Sequence, residues 1–313
     1  MRVVSTSRLP IDLAAQITAV FPSAVVEVPP QGHAGLANSD LSDVDALVCL
    51  LLDRIDAGVL AAAPKLRVVA NCAVGVDNID LAAAAAAGVT VTNTPDVLTE
   101  TTAELAFALM LAAARRIGEG ERLVRSGAWG GWALDQLLGI ELHGRTLGIL
   151  GFGRIGQAMA RRGLGFGMQV IYADPHAVSA AGCTRVTVDE LFAGADVVSL
   201  HCPLTAETRQ VVDARRLGLM RPTAIVVNTA RGDCVDEGAL IDALTAGRLF
   251  GAGLDVFVGE PRIDPRLQAC PRLVLAPHIG SATTKARTSM AQLCADAVIA
   301  VLSGRRPTNV VTA

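Results

Sequence analysis

The chain predicts an α/β protein built as two Rossmann-like, doubly wound parallel-sheet domains. Three observations carry that expectation. Short β-branched runs alternate with alanine-rich helical stretches along most of the 313 residues. The alternation stops at one long central helix and then restarts. A glycine-rich turn joins the first strand of the second series to its helix. Repeated strand–helix units place helices on the faces of a parallel sheet, because only a crossover can return the chain to run parallel.

In chain order, RVVS (2–5), ALVCLL (46–51), LRVVAN (66–71) and VTVTN (89–93) read as strands. DLAAQITAV (12–20) and DLAAAAAAG (80–88) lie between them as helices, with Asp80 as an N-cap and Gly88 as a stop. TETTAELAFALMLAAARR (99–116) is the strongest helix, with threonines at its start and two arginines at its negative end. Six strand candidates follow: TLGILGFG (146–153), MQVIYAD (168–174), DVVSLH (196–201), AIVVNT (224–229), GAGLDVF (251–257) and LVLAPH (273–278). TTKARTSMAQLCADAVIAVLSGR (283–305) closes the chain as a helix.

Composition narrows the function classes. Hydrophobic residues make up 51% and aromatics only 3%, so Ala, Val and Leu must fill the core. A net charge of −3 without a basic block gives no footing for nucleic acid or an anionic membrane. No apolar run is long enough to span a bilayer, and MRVVSTSRLP does not lead into a signal-peptide core. The seven cysteines (Cys49, Cys72, Cys183, Cys202, Cys234, Cys270, Cys294) are odd in number, scattered and without a CxxC. They read as reduced, buried small residues of a cytoplasmic protein, and neither as a metal site nor as a disulfide frame.

The turn GFGRIG presents Gly151, Gly153 and Gly156 between the strand TLGIL and the helix QAMARR. The first glycine allows the tight turn, the second lets backbone approach a pyrophosphate, and the third lets helix and strand pack closely. The helix N-terminus attracts the phosphate charge. Asp174 ends the next strand, where a carboxylate accepts hydrogen bonds from the adenine ribose hydroxyls and repels a 2′-phosphate. The expected cofactor is therefore NAD(H) rather than NADP(H); His176 alone does not supply the cationic pair that a 2′-phosphate prefers.

Three polar residues stand near the ends of later strands, where ligands bind in open parallel sheets. Arg231 follows AIVVNTA, Glu260 lies in GLDVFVGEP, and His278 follows LVLAP. A hydride acceptor carrying a carboxylate suits a planar guanidinium anchor. Its carbonyl oxygen needs a proton as hydride reaches carbon, which an imidazolium can give. A carboxylate beside the imidazole favours the charged ring and holds it in place.

With these residues in hand, the chain resembles the D-isomer-specific 2-hydroxyacid dehydrogenase family. The motifs VGVDNID (74–80), TLGILGFGRIGQAMARR, YADP, SLHCPLTAETR, NTARGDCVDEGAL, GAGLDVFVGEP and APHIGSAT occur in family order over nearly the whole chain. The resemblance implies a substrate domain of residues 1–98 plus 286–313, a nucleotide domain of residues 99–285, and an active site in the interdomain cleft. It implies a catalytic set of Arg231, Glu260 and His278. For the cofactor it implies Thr102, Gly151, Gly153, Arg154, Ile155, Gly156, Asp174, Cys202, Pro203, Thr208, Thr229, Ala230, Asp255, His278 and Gly280, with Asp255 on the nicotinamide carboxamide and Ile279 and Ser281 close by. For the substrate it implies Arg231, His278 and the backbone amides around Val74 and Gly75. It also implies a homodimer formed through the nucleotide domain.

NCAVGVDNID, GAWGGWALDQLLG and PHIGSAT look most like the glyoxylate/hydroxypyruvate reductase branch. There a tryptophan from the partner shapes the substrate pocket; Trp132 is the candidate, with Trp129 beside it. Asp174 departs from that branch's frequent NADP-type ribose site. Val74 stands where phosphite dehydrogenases carry a lysine, and Glu260 where formate dehydrogenases carry glutamine. The alternatives are a short-form D-3-phosphoglycerate dehydrogenase and an NAD(H)-sensing corepressor-like binding protein.

Overall fold

The computed structural model of the chain describes residues 1–36, 39–176 and 179–311. The first strands and helices are β1 (Arg2–Ser5), α1 (Leu13–Val20), β2 (Val25–Glu27), β3 (Ala46–Cys49), α2 (Ala57–Ala62), β4 (Val68–Asn71), α3 (Leu81–Ala86) and β5 (Thr90–Thr92). The second series is α4 (Thr99–Ala114), α5 (Ile117–Arg125), β6 (Thr146–Leu150), α6 (Arg154–Gly165), β7 (Gln169–Ala173), β8 (Cys183–Arg185), α7 (Val188–Gly194), β9 (Val197–Leu200), α8 (Ala214–Leu217), β10 (Ile225–Asn228), α9 (Glu237–Thr245), β11 (Gly251–Leu254), α10 (Pro265–Ala269) and β12 (Leu273–Leu275). Helix α11 (Thr284–Leu302) ends the chain. The chain divides into two compact units, one of Met1–Leu98 with Ser281–Ala313 and one of Thr99–Gly280.

The first unit holds a five-stranded parallel sheet in the order β2-β1-β3-β4-β5. Its inner strands β1, β3 and β4 are buried on both faces, as parallel sheets covered by helices require. Val3, Val48 and Val68 pack with Leu13 and Ile17 of α1 and with Ala291, Ala295 and Val298 of α11. On the opposite face Val4, Leu47 and Val69 pack with Leu60 of α2 and Ala84 of α3. Asp80 caps α3 by accepting from the Ala83 N–H at 2.9 Å, and Gly88 follows the helix with φ +69°, so both expected boundaries are where the sequence puts them.

The second unit holds a seven-stranded parallel sheet in the order β12-β11-β10-β9-β6-β7-β8. Leu147, Ile149, Val197, Ile225 and Val227 pack on one face with Met110 of α4 and Met159 of α6. The alternate residues Leu150, Val198, Leu200 and Val226 pack on the other with Phe192 of α7 and Leu240 of α9. The order reverses between β6 and β9, and the crevice outside the carboxyl ends at such a reversal is where open α/β sheets bind ligands.

Two strands exceed the expectation. β2 and β8 are three residues each and lie at sheet edges, so the second series contains seven strands rather than six. Both are short and mostly exposed: β2 reads Val-Val-Glu and β8 Cys-Thr-Arg, since an edge strand is covered on fewer sides. The expected strand 46–51 is also shorter, because Leu50 turns its N–H to the Asp53 carboxylate at 2.8 Å and leaves the ladder. Among the described residues no helix is long and apolar enough to cross a membrane.

Candidate active site

Every reactive side chain expected in the second unit stands at the carboxyl edge of its sheet. The turn after β6 carries Gly151, Gly153 and Gly156; Asp174 follows β7, Cys202 follows β9, Arg231 follows β10, and Asp255 and Glu260 follow β11. His278 follows β12. A parallel sheet makes this convergence automatic, because all strands end on the same side.

The glycine turn is built as its sequence suggests. Gly151 has φ +89°, and a Cβ there would collide with the backbone of Cys202. A Cβ on Gly156 would collide with the Gly151 carbonyl oxygen, so the helix can approach the strand only without one. Around Gly153 the space is open, and no side chain caps α6. Arg154 is exposed and Ile155 half-buried at the first turn of that helix. Phe152 stacks on Tyr172 with centroids 3.8 Å apart, tying the turn to β7. The Asp174 carboxylate accepts from the Phe152 N–H at 2.6 Å and the His176 N–H at 2.8 Å, so its acid group is fixed at the mouth of the turn. Sequence reasoning missed Arg185, whose guanidinium donates to the Asp174 and Pro175 carbonyls at 2.9 and 3.3 Å.

Other expected cofactor residues line the same edge. Thr208 donates to the Pro203 carbonyl at 2.6 Å and closes the loop after β9, next to buried Cys202. Thr229 buries a hydroxyl that has no partner, beside buried Ala230. An uncapped helix start, an open glycine and an orphaned hydroxyl are features that a bound dinucleotide would satisfy. The residues present therefore fit the group.

The acid–base pair is in contact. His278 Nδ1 lies 2.7 Å from Glu260 Oε2, while Glu260 Oε1 accepts from the Phe257 N–H at 2.8 Å. Burial alone would push the Glu260 carboxyl up. The bonds from His278 and Phe257, with the charges of His278 and Arg231, outweigh it and hold the carboxyl below its usual range. Glu237 pins the neighbouring amide, accepting from the Val258 N–H at 2.7 Å. Burial pushes that carboxyl up despite the bond.

His278 itself adopts φ +53°, the left-handed region that non-glycine residues avoid. The turn is held by Asp255. Its carbonyl accepts from the His278 N–H at 2.9 Å, and its carboxylate accepts from the Ile279 and Gly280 N–H groups at 2.7 and 2.8 Å. Thr102 donates to the Gly280 carbonyl at 3.3 Å. Asp255 is 1% exposed, and burial raises its carboxyl against those bonds. It thus builds the His278 turn, a task the sequence does not disclose.

Arg231 is placed by its own backbone. Asn228 donates its side-chain N–H to the Arg231 carbonyl at 2.8 Å and accepts from the Ala230 N–H at 2.9 Å. Gly232 follows, and a Cβ there would collide with the Phe257 carbonyl, so the loops after β10 and β11 touch backbone to backbone. That contact brings Arg231 near Glu260, whose carboxyl feels its charge. The signal for Asn228 was present: a buried polar residue ends the apolar run IVV.

In the first unit, Val74 and Gly75 lie in the loop after β4. Their carbonyls accept from the Asn93 and Asn71 side chains, both at 2.8 Å. Their N–H groups donate to none of the described residues. Trp132 is 81% exposed and Trp129 donates to Gln136 at 3.3 Å, so neither serves the core.

His201, unremarked from sequence, has Nε2 2.9 Å from the Ser199 hydroxyl and a buried Nδ1 without a partner. Burial pushes its imidazole down to about 4. An unfolded histidine binds its proton near 6.5, so folded stability should fall as pH drops from 6.5 toward 4, by up to about 3 kcal/mol. Urea unfolding of the protein and a His201→Phe variant at pH 7.5 and 5 checks this. An equal loss of stability in both would refute it.

A parallel-sheet fold with a dinucleotide-type glycine turn, and a paired imidazole and carboxylate at the same sheet edge, defines an oxidoreductase of the nicotinamide class. Residues 107–280 match the model of the D-isomer specific 2-hydroxyacid dehydrogenase NAD binding domain. A glyoxylate reductase of Thermococcus litoralis is 49% identical over 293 residues, covering 91% of this chain and 88% of the relative. A solved Thermus thermophilus protein superposes with a TM-score of 0.92 at 44% identity, over 100% of both chains. An NADPH-dependent glyoxylate/hydroxypyruvate reductase of Sinorhizobium meliloti, solved with NADP and malonate, gives 0.87 at 34% identity, over 99% of this chain and 96% of the other. The chain belongs to the D-isomer specific 2-hydroxyacid dehydrogenase family.

Proposed function

We propose that the protein reduces glyoxylate and related small 2-keto acids such as hydroxypyruvate to 2-hydroxy acids, with NADH preferred to NADPH. The observation that carries the reading is the His278–Glu260 pair, 2.7 Å apart at the strand ends that also present Arg231. Relatives that bear the name glyoxylate reductase support the substrate.

The bound cofactor supplies the hydride. The glycine turn, the start of α6 and Asp174 would hold its dinucleotide, with Thr102, Thr229 and Asp255 toward the nicotinamide. Arg231 grips the substrate carboxylate and polarises the carbonyl. His278 gives its proton to the carbonyl oxygen in reduction and takes it back in oxidation. Glu260 keeps the ring aimed through its contact with Nδ1. The unpartnered Val74 and Gly75 amides support their assignment to the substrate carboxylate.

The preference for NADH rests on the Asp174 charge, with Arg185 already committed to two backbone carbonyls. A panel of 2-keto acids with both cofactors tests the whole reading, with chiral analysis wherever the product is chiral. Turnover of glyoxylate or hydroxypyruvate, and kcat/KM at least about tenfold higher with NADH, is expected. A tenfold advantage for NADPH would remove the role given to Asp174. No turnover with any keto acid while NADH still binds would favour a sensing protein.

The reading includes a homodimer. Trp132 and Leu134 are each 81% exposed and Leu138 62%, an apolar arm that a second copy would cover. Sedimentation at the 32.3 kDa monomer mass would count against it.

A further inference from the structure

The loop that follows β4 is held by its carbonyl groups. The Ala73 carbonyl accepts from the Thr94 N–H at 2.9 Å, and the Val74 carbonyl from the Asn93 side chain at 2.8 Å. Asn93 and Thr94 are the first residues after β5, the strand paired with β4. The next carbonyl, that of Gly75, accepts from the Asn71 side chain at 2.8 Å. Asn71 is the last residue of β4 and is buried.

These bonds fix where the N–H groups point. A carbonyl and the N–H of the following residue belong to one planar peptide unit, and in a trans unit they point in opposite directions. The units from Ala73 to Val76 are trans. Thr94 therefore aims the Val74 N–H, and Asn93 aims the Gly75 N–H. Because two successive carbonyls turn to the end of β5, both N–H groups turn away from it. Along a strand, successive N–H groups point to opposite sides. Here they point the same way, and paired backbone N–H groups of that kind suit an anion. Neither donates to any of the described residues.

We propose that Asn93 is a positioning residue of the reaction, whose side chain aims the Gly75 N–H at the substrate carboxylate. The inference rests on the role given above to the Val74 and Gly75 amides. Thr94 holds its carbonyl through backbone, which every residue but proline offers, whereas Asn93 uses a side-chain donor.

Asn93 is itself fixed from the far end of the chain. Its N–H donates to the Asn309 carbonyl at 3.3 Å, and its carbonyl accepts from the Asn309 side chain at 2.6 Å. Val310 bridges antiparallel to Thr92, and the Val311 N–H donates to the Val91 carbonyl at 2.8 Å. The segment after α11 thus lies along β5 and steadies the residue that aims the amide. Without the Asn93 donor, the Val74–Gly75 unit is free to turn its carbonyl to water. The substrate carboxylate does not react, so its grip counts equally before and during hydride transfer. Losing that grip raises KM and leaves kcat in place.

Asn93→Asp tests the role, because it keeps the shape and removes the donor. An ionised carboxylate only accepts, while a protonated one regains an O–H to donate. Facing a carbonyl oxygen, the introduced carboxyl takes up its proton above the usual range. At about pH 8 the KM for glyoxylate should be about tenfold that of the unaltered protein, the loss of one hydrogen bond to a charged group. The kcat and the NADH affinity should not change. The ratio of the two KM values should fall as the pH is lowered to about 5. Asn93→Ala should show the same rise without the recovery. Oxalate titrated calorimetrically into the NADH-bound proteins should lose affinity and regain it in the same pattern.

Unchanged KM and oxalate affinity in both variants would overturn the proposal. An equal, pH-independent rise in both, or a fall in kcat at constant KM, would remove the aiming role from Asn93. If the unaltered protein reduces no keto acid, the functional reading fails by itself, and the oxalate titrations decide the role of Asn93. Failure of the unaltered protein to bind oxalate would overturn that role as well.

Discussion

His278→Asn should lower kcat by about 10²–10⁴-fold, the contribution of a positioned general acid, with NADH affinity unchanged. Asparagine is the apt replacement because His278 sits at φ +53°, which asparagine tolerates better than alanine, so the turn should survive. The loss would then report the missing proton and not a collapsed loop. Stopped-flow reduction of glyoxylate gives kcat, and quenching of protein fluorescence gives the NADH affinity. The Asp255 bonds to the Ile279 and Gly280 amides do not involve the imidazole, so the thermal midpoint should hardly move. A variant with near-normal kcat would remove His278 from the chemistry and leave Glu260 Oε2 paired with a spectator.

Arg231→Lys should raise KM and lower kcat together, with kcat/KM falling roughly 10- to 100-fold, the range of one hydrogen bond to a charged group. Lysine keeps the charge but not the planar fork, so the variant separates the two. The backbone that carries the residue is fixed independently by Asn228 and by the contact of Gly232 with Phe257, so the substitution should leave the turn in place. A rise in KM with kcat untouched would reduce Arg231 to a binding residue; unchanged kinetics would exclude it from the site.

What could be read from the sequence was what is local and periodic. The apolar runs gave the inner strands, because a sheet covered on both faces demands continuous hydrophobicity. The glycine spacing gave the turn, because Gly151 and Gly156 each face backbone that leaves no room for a Cβ. Arg231, Glu260 and His278 were legible as polar residues at the ends of such runs. The edge strands β2 and β8 were not read as strands, since three mostly exposed residues are too few to carry a period. Nor were the supports of the site legible. Asp255 and Glu237 hold amides 24 and 21 residues away. Such pairings depend on which strand ends are neighbours, a property of topology and not of any window of sequence.

The supports share one trait. Asp255, Glu260 and Glu237 grip the N–H groups of Ile279, Gly280, Phe257 and Val258, and an N–H belongs to every residue except proline. The gripping carboxylates are therefore constrained in identity, while Ile279, Phe257 and Val258 are constrained by this role only to be non-proline. Phe257 is held in place by the core as well, but Ile279 and Val258 are exposed, so their side chains can change without releasing the amides that hold the site.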